Sequence, residues 1–148
     1  MNRRVWIDER LAQVPLFEGL SKKQLELVSS LATRLHEPAG TVLTREGGHG
    51  YEFIIVLEGE VEVRRQGRLI AKRGAGEFFG EMALVEHQPR TATVRSTTPV
   101  LIEVIGRREF EALLADVPDI ADRVRATIAK RHRDTIAHEP LVAAELTA

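Results

Sequence analysis

Between Pro38 and Ile105 the chain is cut into short β-rich runs, and this punctuation restricts the fold more than any other feature. The runs are Thr41 to Thr44, Phe53 to Leu57, Glu60 to Arg64, Arg68 to Lys72, Thr91 to Ser96 and Val100 to Ile105, rich in Val, Ile, Leu, Phe and Thr. Gly47-Gly48-His49-Gly50, Glu58-Gly59, Gln66-Gly67, Gly74-Ala75-Gly76 and Thr98-Pro99 divide them. A parallel sheet needs a crossover of about a dozen residues between neighbouring strands, and these intervals leave no room for a series of them. The expectation is an antiparallel β-roll, of the jelly-roll or compact-barrel kind.

Helical spacing brackets this region. Leu25, Val28, Ala32 and Leu35 repeat at helical intervals between Ser21 and His36, with Leu27 and Leu31 widening the stripe. Ser21 and Gln24 fit a capping box, so a helix is predicted to begin near Lys22. Val5 to Ala12 reads as a shorter amphipathic helix, separated from it by Val14-Pro15-Leu16-Phe17. After Gly106, Phe110, Leu113 and Leu114 mark one short helix. Pro118 opens another, with Ile120, Ala121, Val124 and Ile128 on one face and Arg131 continuing that line. The predicted class is therefore α+β, mainly β, in one domain over 1–148. N-terminal helices occupy 1–36, the roll 37–105, the closing helices 106–138 and a frayed tail 139–148.

Composition limits the chemistry. The 148 residues carry 21 Lys and Arg against 22 Asp and Glu, a formal charge of -1, which argues against direct DNA binding. There is no cysteine, hence no disulfide, thiolate metal site or cysteine nucleophile. His36, His49, His87, His132 and His138 are scattered rather than grouped as a metal centre requires, so no metal or other cofactor is expected. Neither a signal peptide nor an apolar run of about 18 residues is present, which gives no membrane span and a cytoplasmic expectation. An enzyme on such a roll would need a metal, or a nucleophile with an adjacent base, and neither is visible.

The segment from Phe78 to Val94 departs from the plain β pattern. Gly80 lets the backbone come close to a ligand, and the helix formers after it, near Met82, would offer free amides and the positive end of a helical turn to an anion. Arg90 adds a permanent charge in a planar fork suited to phosphate oxygens. Glu81 would repel a phosphate and makes better sense as an acceptor for sugar hydroxyls. Thr91 adds one hydroxyl beside the arginine. Phe78 and Phe79 read first as core residues.

Phe79-Gly80-Glu81-Met82-Ala83-Leu84, followed by Pro89-Arg90-Thr91-Ala92-Thr93-Val94, resembles the phosphate-binding cassette of cyclic nucleotide-binding domains, placing the cassette at 79–94. The likeness extends to Val14-Pro15-Leu16-Phe17, Pro38-Ala39-Gly40, Arg45-Glu46-Gly47 and Leu57-Glu58-Gly59-Glu60-Val61-Glu62-Val63. In detail the chain looks most like the sensor domain of prokaryotic cyclic nucleotide-gated potassium channels, a kind of ligand-gated ion channel. The resemblance implies a sensor that binds cAMP or cGMP reversibly and signals through a lid helix. It implies that Arg90 meets the cyclic phosphate, that backbone amides around Met82 and Ala83 complete the cradle, and that Glu81 meets the ribose 2'-hydroxyl. It also implies that Phe79 and Gly80 are among the ligand-binding residues. Thr91 stands where a hydroxyl also reaches a guanine amino group, and Arg131 is the lid candidate, with Arg125, His132 and Arg133 as neighbours able to replace it.

The chain departs from the family at Gly48 and Tyr51, where many members are acidic. About ten residues follow the predicted closing helices, too few for the helix-turn-helix of the catabolite activators. The expected partner is thus the nucleotide, with a homo-oligomer through the N-terminal helices and Trp6, or a separate effector protein, carrying the output. An excised channel domain and a degenerate assembly module without ligand are the alternatives.

Overall fold

The computed structural model describes residues 9–49, 52–80 and 89–131. The chain opens with α1 (Glu9–Ala12), a 3-10 turn at Pro15–Phe17 and α2 (Lys22–Leu31). Strands β1 (Ala32–Glu37), β2 (Val42–Thr44), β3 (Glu52–Glu58), β4 (Val61–Arg65), β5 (Arg68–Arg73), β6 (Phe78–Phe79), β7 (Thr93–Ser96) and β8 (Val100–Gly106) follow. Helix α3 (Arg107–Asp116) and a last helix, α4, over 118–131 close the described chain.

The strands form two antiparallel four-stranded sheets, in the orders β1-β8-β3-β6 and β2-β7-β4-β5. This is the predicted antiparallel roll with helices on either side of it in sequence. A two-residue turn joins the paired strands β4 and β5 through Gln66 and Gly67, at φ of 52° and 78°. Two consecutive left-handed residues match the twist of a hairpin.

The two central strands of the first sheet explain their own sequences. Phe53, Ile55 and Leu57 of β3 join Leu101 and Ile105 of β8 in a cluster with Phe17, Val28, Phe110, Leu113, Ile120 and Val124 from the helical elements. Ile54, Val56, Val100, Ile102 and Val104 point the other way, into the roll, against Val61, Val63 and Val94 of the second sheet. Both faces are covered, so both strands read as continuous apolar runs rather than alternating ones. Glu103 is the exception on the helix side of β8. It is 4% exposed, and its Oε1 accepts from Arg34 Nε and Nη2 at 3.1 and 3.0 Å, which offsets the cost of burying the charge.

The capping box at Ser21 and Gln24 forms as predicted. Two expectations need correction. The helix of 22 onward ends at Leu31, and β1 runs over Ala32–Glu37, so that residues 32–36, given to the helical part at 1–36, are strand. Ala32 pairs with Ile105 and Leu35 with Ile102, so a long-range ladder overrides a local helical period that fitted equally well. The two residues of β6, Phe78 and Phe79, also lay outside the predicted strands. They pair with Ile55 and Ile54, and a run this short carries no periodicity to detect.

Candidate functional site

The described part of the site is built around Arg90. Only 8% of the residue is exposed, and a guanidinium cannot shed its charge, so its position depends on acceptors placed around it. Its backbone is clamped on both sides by the turn after β2: Arg90 N–H donates to the Gly48 carbonyl and Gly47 N–H donates to the Arg90 carbonyl, each at 2.8 Å. Its Nη2 donates to the Glu52 carbonyl at 2.6 Å. The turn and the first residue of β3 therefore fix both ends of the arginine.

Gly80, just past β6, has φ +91°, and a Cβ built there would lie 2.0 Å from Arg90 Nη1 and 2.6 Å from the Glu52 oxygen. The predicted reason for this glycine was close approach to a ligand. Its observed neighbour is the guanidinium itself, which lodges where a side chain would stand. Glycine is required both by the backbone conformation and by the space.

The chain after Arg90 is fastened to the second sheet. Thr91 is half-buried, and its carbonyl accepts from Arg65 Nε at 3.0 Å. Thr44 Oγ1 donates to the Ala92 carbonyl at 3.1 Å, and Thr93 Oγ1 accepts from Glu46 N–H at 3.0 Å. Phe79 is buried within the roll and Phe78 against the helices, where its ring centroid lies 5.3 Å from that of Phe53. Both are core residues, as first read. Glu81, Met82 and Ala83 lie outside the described residues, as do His132 and Arg133.

Arg131 reaches this strand from the last described residue of α4. Its Nη2 donates to the Phe78 carbonyl at 2.7 Å, and its guanidinium carbon stands 4.9 Å from the centroid of the Phe78 ring. Arg125, the described alternative, instead pairs with Asp122 at 3.1 Å on the exposed side of the helix. Arg123 Nη1 donates to the Leu16 carbonyl at 2.9 Å, tying the same helix to the 3-10 turn. Thus Phe78, Phe79 and Gly80 bear Arg131 at one end and Arg90 at the other.

Sequence reasoning missed Gly47, Gly48, Glu52 and Arg65 as supports of the site. Gly48 was noted only as a departure in a loop, and three of these residues act through backbone groups, which leave no side-chain signature. No group of three or more His, Cys, Asp or Glu able to hold a metal occurs among the described residues, and none of the helices there is long and apolar enough to cross a membrane.

Comparison with known proteins places this geometry. A sequence model of the cyclic nucleotide-binding domain matches residues 34–117, more than half of the chain. The match stops short of α4, the helix that carries Arg131. A cyclic nucleotide-gated potassium channel of Rhizobium etli is 38% identical over 122 residues, 82% of this chain and 34% of the channel. A cAMP-dependent protein kinase regulatory subunit of Yarrowia lipolytica is 36% identical over 120 residues, 79% of this chain and 32% of the subunit. The crystal structure of the Thermus thermophilus catabolite activator protein superposes with a TM-score of 0.77 at 29% identity, covering 87% of this chain and 63% of that one. The chain spans about a third of the length of these curated relatives. With the family model over most of the roll and the cassette arginine built into it, the chain belongs to the cyclic nucleotide-binding domain family.

Proposed function

We propose that the protein is a sensor that binds cAMP or cGMP reversibly, leaves it chemically unaltered and reports binding through its closing helices. The observation that carries the reading is the buried Arg90 guanidinium, seated on Gly80 and held by the Glu52 carbonyl within the family-matched residues. A cation fixed in advance loses little freedom when a cyclic phosphate arrives. In this reading Glu81 accepts from the ribose 2'-hydroxyl, amides of Met82 and Ala83 complete the phosphate cradle, Thr91 adds its hydroxyl and Arg131 belongs to the lid. Nucleotide then favours the docked lid, because it contacts that helix only in the docked arrangement.

Relatives named as channels and kinase regulatory subunits, and a catabolite activator among the solved structures, support a binding module rather than an enzyme. The identity with channels favours a channel-type sensor. In that role the domain works in the cytoplasm on a pore or another effector, or as a homo-oligomer, without touching DNA. Calorimetric titration of nucleotide-free protein with each nucleotide is the test. Binding with Kd on the order of micromolar or tighter is expected, with the nucleotide recovered intact. Arg90→Ala is expected to lose about 2 to 5 kcal/mol of that binding, since the phosphate would be left without its counter-charge. Absence of heat and of a thermal shift with both nucleotides would overturn the proposal.

A further inference from the structure

A charged cluster beside the site ties the lid arginine to the roll. Glu77 immediately precedes β6, and its Oε2 faces two guanidinium groups, Arg73 Nη1 at 3.3 Å and Arg131 Nη2 at 3.7 Å. Arg73 ends β5, so it steadies the carboxylate relative to the sheet. Arg131 comes from the far end of α4, and its side chain is only 16% exposed, against 42% for Glu77. The same Nη2 donates to the Phe78 carbonyl, and the guanidinium lies over the Phe78 ring. An exposed ion pair alone holds little. Here it acts together with a charge-assisted hydrogen bond and a cation–π contact, all from two adjacent residues, on a guanidinium that is largely withdrawn from water.

We propose that Glu77 is the positioning residue of the lid: its carboxylate, steadied by Arg73, aims Arg131 onto β6 and so raises the fraction of molecules in which α4 is docked on β6 before any nucleotide arrives. The proposal rests on the reading that the cassette takes a cyclic nucleotide. A ligand that needs the docked helix binds with an apparent affinity scaled by the docked fraction. Glu77 therefore tunes affinity without touching ligand. The four residues from Glu77 to Gly80 join this latch to Arg90, so the lid arginine and the phosphate arginine share one short strand.

Because the chain has no cysteine, spin labels can be placed at two chosen sites in the 148-residue chain, Leu69→Cys and Lys130→Cys, both exposed positions. Pulsed electron paramagnetic resonance then reads the position of α4 against the roll. In nucleotide-free protein, Glu77→Gln is expected to broaden the distance distribution, and calorimetry to show the Kd for cAMP raised about three- to tenfold. In an Arg131→Gln background the same substitution is expected to add nothing to either readout. Should Glu77→Gln fail to fold, Arg73→Gln is expected to give the same broadening by releasing the carboxylate. An unchanged distribution, a broadened one with unchanged affinity, or an undiminished effect in the Arg131→Gln background would each overturn the proposal. If the wild type binds neither nucleotide, the functional reading fails, while the distances still decide whether Glu77 holds the helix.

Discussion

At the scale of single residues, the site is a cation placed by backbone atoms. Arg90 was legible from its spacing to the glycine and glutamate of the cassette, whereas its acceptors were not, because the Gly48 and Glu52 carbonyls could belong to any residue type. Gly80 gives the sharper experiment. Gly80→Ala puts a methyl group 2.0 Å from Arg90 Nη1 at φ +91°, so the guanidinium must leave its seat and the backbone takes on about 1 to 3 kcal/mol of strain. Nucleotide affinity is expected to fall at least about tenfold, with a few degrees lost in thermal melting. Retained affinity would show that the arginine functions from another position. Thr91→Ala is expected to weaken cGMP more than cAMP in paired titrations; equal losses would mean that its hydroxyl serves the phosphate only.

The elements show where local pattern suffices and where it fails. Strands β3 and β8 were legible because burial on both faces leaves a continuous apolar run, and α2 because its capping box is local. β1 was read as helix, since Ala32 and Leu35 also suit a helical stripe, and only the ladder to β8 distinguishes the two. Its Arg34 serves that ladder through Glu103. Arg34→Ala would leave a carboxylate that is 4% exposed without that ion pair, at a cost of about 1 to 3 kcal/mol in urea unfolding. Adding Glu103→Leu is expected to restore most of this, because an apolar side chain there has no charge to desolvate. No recovery in the double variant would show that the pair itself stabilises the sheet.

On the scale of the whole molecule, α4 joins the helical cluster to the site. Ile120, Val124 and Ile128 bury their side chains in that cluster, each contributing about 1.5 to 3 kcal/mol, a large share of the roughly 5 to 15 kcal/mol that keeps a domain folded. Deleting residues 118–148 is therefore expected to give a broad unfolding transition and dye-accessible apolar surface; a sharp transition at the wild-type temperature would show that the roll stands without its helix. The amphipathic face of α4 was legible in the sequence, as were most strands, their antiparallel arrangement and the cassette that marks the family. Those features lie within a few residues of one another, where periodicity and spacing can express them. Only the tertiary structure decided that 32–37 is a strand, that Gly80 makes room for Arg90, and that Arg131 rather than Arg125 reaches β6. Each depends on a partner far along the chain, often a backbone carbonyl that is the same for every residue type, and it becomes specific only when folding brings the two together.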